Sequence, residues 1–545
     1  MKKTPAKKVI AKALPKKHGS KLGRFILFLL VIGGVAIIGL AIFFIYSRIL
    51  PQSDLAEHLP ADQTVAVVEW EDMTLPAKLQ AKVKDETVMT FVKTLLDFDL
   101  KPAVNAFGTG KVAYVLLDVQ GEQNKPVLLI QAHSKTEALA YFKTLKLEGE
   151  DLDKEDAIYT FTQGQPYSFK FLDRYVAIST DRKVLEGLED NPKIPLSNDE
   201  AYLKTITSLP RNKWISGYAN VEKLSLTGNP AIENVIEPLK YAANNFAFTV
   251  QKETDGLKFN TFLNVKKDLL SLESQNKAQK FTQSLIKNLP AKAAGVYFGG
   301  SNLAEEWENT LQSISNLNPS YGIILEGLLR AQTNKLFGSN VDLQNDLYPL
   351  FEGEYAFEMG QGKNGKQVVL LLAHDDEKFA QKKMEKMAKG FESIAARLEP
   401  KISVVALPDG TESRELVPDA SKVNSSTDTM DGHEVHCTEV GQTGFCYTVT
   451  ESEVIMTSGK DLLKTVLAGG EDTLANDSSF EKVTANLSHS PDEITFVNFD
   501  QLSGLLAGNP YFAMLEPVTT FFDSAAWVKQ YFEDGASSEG YVLFK

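Results

Sequence analysis

The feature that most narrows what this chain can fold into is that it carries one stretch of sequence twice: Val112 to His133 aligns without a gap with Gly353 to His374. Eight of these 22 pairs are identical: Tyr114 with Tyr355, Gln120 with Gln361, Gly121 with Gly362, Lys125 with Lys366, Val127 with Val368, Leu129 with Leu370, Ala132 with Ala373 and His133 with His374. Leu59-Pro60-Ala61 recurs upstream as Leu289-Pro290-Ala291, and downstream Asn198-Asp199 recurs as Asn476-Asp477 and Gly228-Asn229-Pro230 as Gly508-Asn509-Pro510. The order is kept throughout, so one folding unit is built twice. At 545 residues the chain also exceeds what one core usually supports. We therefore expect a linker over 47–58, a first domain over 59–265, a helical connector over 266–288 and a second domain over 289–545. The spacing between matched residues grows from 230 to 241 to 278, which puts insertions in the second copy. The larger insertion, about 400–432, is rich in Pro, Asp, Ser and Thr and predicts a long surface loop.

Within a copy the apolar residues alternate over short runs. Val112–Asp118 and Pro126–Ala132 flank a polar turn and predict an antiparallel hairpin. Ser134-Lys135-Thr136-Glu137 then has capping-box spacing ahead of a helix, and Thr180 and Asn198 are expected to cap two more. Strands joined by short turns favour antiparallel sheets with helices packed on one face. The expected fold class is α+β: an N-terminal transmembrane helix followed by two tandem homologous domains, each with a mainly antiparallel sheet and packed helices.

The transmembrane expectation rests on Phe25 to Tyr46, which contain no charged residue. As a helix these positions would be about 33 Å long, against a hydrocarbon core of about 30 Å. A cleaved signal peptide would have a shorter apolar region and a small-x-small site, and Tyr46-Ser47-Arg48-Ile49-Leu50-Pro51 offers none. Residues 1–24 hold eight Lys plus Arg24 and no acid, so this tail is expected in the cytoplasm and the rest outside it, in a single-pass protein of the cell membrane. Without the tail, 48 basic residues stand against 71 acidic ones, a net charge of −23 that repels nucleic acid. No nucleic-acid partner is expected.

A lysine-rich tail, one anchor and Leu59-Pro60-Ala61-Asp62 leading into a strand resemble bacterial single-pass membrane-anchored exported proteins of an uncharacterised family, grouped as a domain of unknown function. The resemblance covers most of the chain, although the second copy has Lys292 where the first has Asp62. That family has no assigned activity or catalytic residues, so the resemblance implies architecture and location only.

Candidate chemistry is sparse. If Gly441-Gln442 form a type II′ turn, Cys437 falls opposite Cys446 at a spacing a disulfide accepts, and an exported domain is where such a bond persists. The alternative is two separate buried thiols. His433 and His436 lie nearby, but alternation sends His436 to the face opposite Cys437, and the spacing fits no common zinc site. His133 and His374 end matching strands; they read as a pair of site histidines or as structural residues at a strand-to-helix junction, the second being favoured because no triad recurs around them. Nucleophile elbows, His-Glu-x-x-His and phosphate loops are absent. The aromatic residues from Tyr511 to Phe532 read as core rather than as a ligand groove.

No cofactor or metal is implied, and the oligomeric state stays open. The function expected first is that of a non-enzymatic envelope protein that binds another exported protein or scaffolds an assembly. A module holding a lipid, glycan or small molecule in the cleft between the repeats comes second, and an extracytoplasmic hydrolase using His133 or His374 third.

Overall fold

The structure is a computed structural model and describes residues 54–80, 100–119, 124–144, 158–161, 167–189, 192–224, 240, 243–266, 282–300 and, apart from 301, 306, 309–310, 312–314, 316–318, 363–364, 409–410, 442, 471, 488–491, 507–515 and 533–534, the remainder to 545. The apolar run 25–46 lies outside the described residues, as do the basic tail and most of the connector. Among the described residues no helix is long and apolar enough to cross a membrane.

The first half contributes β1 (Thr64–Trp70), β2 (Gly108–Leu117), β3 (Lys125–Ala132), β4 (Tyr159–Phe161), β5 (Tyr167–Leu172), β6 (Tyr175–Ser179), β7 (Ile215–Asn220), β8 (Ala243–Lys252) and β9 (Gly256–Val265). The second contributes β10 (Ala293–Gly299), β11 (Tyr355–Gly362), β12 (Gly365–Ala373), β13 (Lys401–Ala406), β14 (Glu412–Val417), β15 (Asn424–Met430), β16 (His433–Val440), β17 (Thr443–Val449), β18 (Glu453–Thr457), β19 (Glu493–Asn498), β20 (Phe522–Phe532) and β21 (Gly535–Phe544). Strands β13 and β14 form a separate hairpin, and the other nineteen form one sheet. Following the pairings from one edge, the order in the first half is β4, β5, β6, β3, β2, β1, β7, β8, β9. It continues through β21, β20, β19, β10, β11, β12, β18, β17, β16 and β15. Every pairing is antiparallel.

The two runs mirror one another. Asp199 and Asp477 cap corresponding helices, Glu200–Thr207 and Ser478–Thr484, by accepting from Tyr202 N and Phe480 N, with the same φ of −73°. The caps are thus Asp181 and Asp199, each one residue beyond the Thr180 and Asn198 expected. Among the described residues strand β15 has no counterpart in the first half, and the insertion expected as a loop holds a hairpin and this edge strand.

The expected pair of separate domains, each with its own sheet, is corrected by the ladder between β9 and β21, which runs from Gly256 opposite Leu543 to Gly535 opposite Asn264. Its centre is Asn260 opposite Glu539, and Lys258 Nζ lies 2.6 Å from a Glu539 carboxylate oxygen. Alternate side chains of β21 then serve both cores: Val542 and Phe544 pack with the first-half cluster, Tyr541 and Leu543 with the second. Hydrophobic periodicity marks which side of a strand is buried but not which edges meet, and each edge carries backbone groups that need partners.

The helices also differ from expectation. In the second half they cover both faces of the sheet. Ala356 packs with Leu463, Val466 and Phe480, whereas its neighbour Tyr355 packs with Ala380, Met384 and Met387 of the helix Glu377–Ala395. That helix is capped by Asp376, and its buried residues recur every three or four positions.

The seam generates a test. A Cβ on Gly256 would strike the Val542 carbonyl oxygen and one on Gly535 the Leu263 carbonyl oxygen, at opposite ends of the β9–β21 ladder. Gly256→Ala and Gly535→Ala are each expected to lower unfolding free energy by about 1–3 kcal/mol. Gly504→Ala, in a helix with nothing near its Cβ, is expected to raise it by about 0.5–1 kcal/mol. Denaturant titration measures all three, and seam variants as stable as the parent would contradict the ladder.

Candidate functional site

The first half buries one constellation that sequence reading did not single out. Glu69 on β1 faces Ser216 on β7 across the ladder, and Lys213 reaches the same point from just before β7. Lys213 Nζ donates to Ser216 Oγ at 2.7 Å, Ser216 Oγ donates to Glu69 Oε2 at 3.2 Å, and Lys213 Nζ lies 3.7 Å from that carboxylate. Burial pushes the Glu69 carboxyl up to about 8, with Lys213 opposing the shift, and burial lowers the Lys213 ammonium. Nearby, Tyr202 and Tyr218 meet edge to face at 4.9 Å, and the Tyr218 hydroxyl donates to Asn245 Oδ1 at 2.9 Å.

A serine hydroxyl beside an amine of depressed pKa is the composition of an activated nucleophile. Access decides against that role here. Ser216 is 2% exposed, Glu69 3% and Lys213 8%, so an external carbonyl cannot reach the serine oxygen. The cluster is also unrepeated: the corresponding facing pair in the second half is Phe298 and Ile494. That half instead buries Glu493 and Lys529, 2.7 Å apart on β19 and β20. Glu493 precedes Ile494, the counterpart of Ser216, by one residue; the two ion pairs therefore occupy opposite faces at the same end of their half-sheets.

The histidines do not form a site. His133 is exposed, its backbone N–H donating to Phe107 O at 2.8 Å. His374 is half-buried, with neither ring nitrogen hydrogen-bonded. They are also one residue out of register, since Ala132 N donates to Arg174 O just before β6, whereas His374 N donates to Ser452 O just before β18. The gapless alignment hid this shift because the turn between β2 and β3 is longer than that between β11 and β12.

Cys437 and Cys446 face one another on β16 and β17, with Cα atoms 4.1 Å apart, and are joined by a disulfide. Both are buried. Thr160 and Ser168 hold the matching cross-strand place in the first half, their hydroxyls 3.0 Å apart. His436 stacks on Tyr447 at 5.0 Å, and its Nδ1 lies 3.2 Å from Thr427 Oγ1. Among the described residues no group of three or more His, Cys, Asp or Glu is placed to hold a metal. Of the C-terminal aromatics, Trp527 is buried and Phe522 stacks on Phe544 at 5.8 Å, both in the core; Phe532 is exposed, and Tyr511 and Phe512 lie outside the described residues.

One accessible feature is the β13–β14 hairpin. Ile402 faces Leu416 across it, with Val404 one step along the same face. These side chains are 65%, 72% and 54% exposed. An isolated two-stranded hairpin is only marginally stable in water, so an apolar face on one needs cover.

Buried Glu358 supplies the electrostatic test. It is 4% exposed on β11 between Val296 and Val369, its Oε2 has no hydrogen-bond partner, and burial alone pushes its carboxyl up to about 8 from 4.5. The unfolded chain gives up this proton first, so stability falls as pH rises from about 4.5 to about 8 and is level above. Glu358→Gln is expected to raise the thermal midpoint at pH 8 by the equivalent of a few kcal/mol, at about 1.4 kcal/mol per pKa unit, and to change it little at pH 4. Melting curves across that range check this, and a gain independent of pH would assign the effect to packing.

No curated protein matches the chain, and no solved structure matches it. A family model does, over residues 98–529, beginning after Leu59-Pro60-Ala61-Asp62 and reaching into β20. The match spans most of the nineteen-stranded sheet and both copies, and on that ground the chain belongs to the family described as Protein of unknown function (DUF3352).

Proposed function

We propose that this chain is a non-enzymatic protein-interaction module of the cell envelope, held at the membrane by its apolar run 25–46, with its body outside the cytoplasm. The observation that carries the reading is the β13–β14 hairpin, whose Ile402, Val404 and Leu416 offer an exposed apolar patch, flanked by Arg414 opposite Val404, to a partner protein. The buried Cys437–Cys446 bond supports an oxidising compartment. Sealing of Ser216 behind the sheet argues against a hydrolase. A ligand cleft between the copies loses its support at the seam, where β9 and β21 are paired along their length.

A photo-activated cross-linker at Val404 in the full chain, used in native membranes, tests the reading. One adduct of defined mass with another envelope protein is expected. Ile402→Ser with Leu416→Ser should abolish it while shifting stability by no more than about 0.5 kcal/mol, as for other surface changes. A smear of random neighbours, or an adduct that survives the double substitution, would count against the proposal.

A further inference from the structure

Strand β15 closes one end of the sheet, and among the described residues no strand pairs with its outer edge. Cys437 and Cys446 lie at the close Cα spacing of a non-hydrogen-bonded pair, 4.1 Å, so the backbone groups of Cys437 turn the other way, toward Ser426 on β15. Alternation then assigns the N–H and C=O of Ser426 and Asp428 to β16 and points those of Ser425, Thr427 and Thr429 outward. These three residues are exposed, and among the described residues no backbone hydrogen bond beyond the β15–β16 ladder involves them.

Open edges are ordinarily protected by a lysine, a proline or a bulge, and β15, Asn-Ser-Ser-Thr-Asp-Thr-Met, has none of these. Its one charge, Asp428, is paired with Lys460. The β4 edge at the far end of the sheet is only three residues long.

We infer that β15 is a self-association edge, pairing antiparallel with β15 of a second copy about a two-fold axis at Thr427. Two observations favour a second copy over a foreign peptide. The strand is self-complementary: Thr427 would face its own counterpart and Ser425 would face Thr429, small side chains that pack across neighbouring strands with no like charges opposed, while Ser425 Oγ keeps its bonds to Glu392 and Thr438 and Thr427 Oγ1 its bond to His436. The fold also makes this kind of junction once already, since β9 and β21, corresponding strands of the two copies, pair about Asn260 and Glu539. The inference is independent of the β13–β14 hairpin.

The test is disulfide trapping in the full chain in native membranes, where both natural cysteines are already bonded. A facing pair has Cα atoms about 5.5 Å apart, within disulfide range, whereas a four-residue offset along paired strands exceeds it. Thr427→Cys is therefore expected to give a covalent homodimer on non-reducing electrophoresis. Ser425→Cys and Thr429→Cys should each give none alone but should cross-link when the two variants are co-expressed. Thr427→Pro removes an outward N–H that β16 does not use, and is expected to abolish the Ser425–Thr429 cross-link while leaving the melting temperature within a few degrees of the parent. Monomer at every position, equal trapping at all three, or capture of a different protein at Thr427 would each overturn the inference.

Discussion

Everything in this fold depends on the hydrogen-bonded ladder between β9 and β21. The seventeen other strands of the sheet extend away from this line in two directions, and among the described residues no other strand pairing joins the copies. An isologous contact uses the same patch on both partners, and here the two patches belong to one polypeptide. Covalent linkage makes the contact intramolecular, so it needs no association in solution to persist. The close approach at Gly256 and Gly535 is its steric signature. A side chain at either place would meet a carbonyl oxygen of the opposite strand.

This junction changes what duplication means for the molecule. Two domains on a linker would move relative to one another and leave a cleft. Here Val542 and Tyr541, neighbours on one strand, belong to the cores of different halves. Shearing the seam would expose apolar surface on both faces at once. The copies have nonetheless diverged by substitutions that respect the shared geometry. A Thr160–Ser168 hydroxyl pair in one half is a Cys437–Cys446 disulfide in the other, each linking the same two neighbouring strands. The buried lysine–glutamate pair has moved to the opposite face, so neither half keeps the other's polar interior.

Local pattern was readable from the sequence wherever one strand or turn carries the information. The β2–β3 hairpin, the cap made by Ser134 on Glu137 N at 3.2 Å, and the facing of Cys437 and Cys446 follow from alternation, capping chemistry and turn residues. The expected separation into two sheets failed because edge pairing over some 280 residues leaves no periodic trace. The register of His133 against His374 failed for a smaller reason: identical residues were aligned through a turn whose length differs, and a one-residue slip changes which neighbour a side chain meets. The Glu69, Lys213 and Ser216 cluster went unseen because its members are scattered through the first half. One signal was available. Glu69 continues the buried phase of Val65 and Val67, and a carboxylate there requires a partner from elsewhere in the fold.

The placement of charge bears on where function resides. Burying a lysine and a glutamate together is often no better for stability than an apolar pair of the same volume, because desolvation offsets their attraction. Removing either member alone leaves an uncompensated charge and is strongly destabilising. Such pairs therefore constrain which strands and faces can meet without contributing much net free energy. Both pairs lie where a strand next to the repeated Leu-Pro-Ala strand begins, Glu69 across from Ser216 on β7 and Glu493 at the start of β19. In that position they reject a shifted register, since a one-residue slip would carry a charge onto the wrong face without its partner. These two buried pairs are then accounted for by assembly of the sheet. Among the described residues, the inserted hairpin and the added strand β15 are surface features of the second copy that have no counterpart in the first.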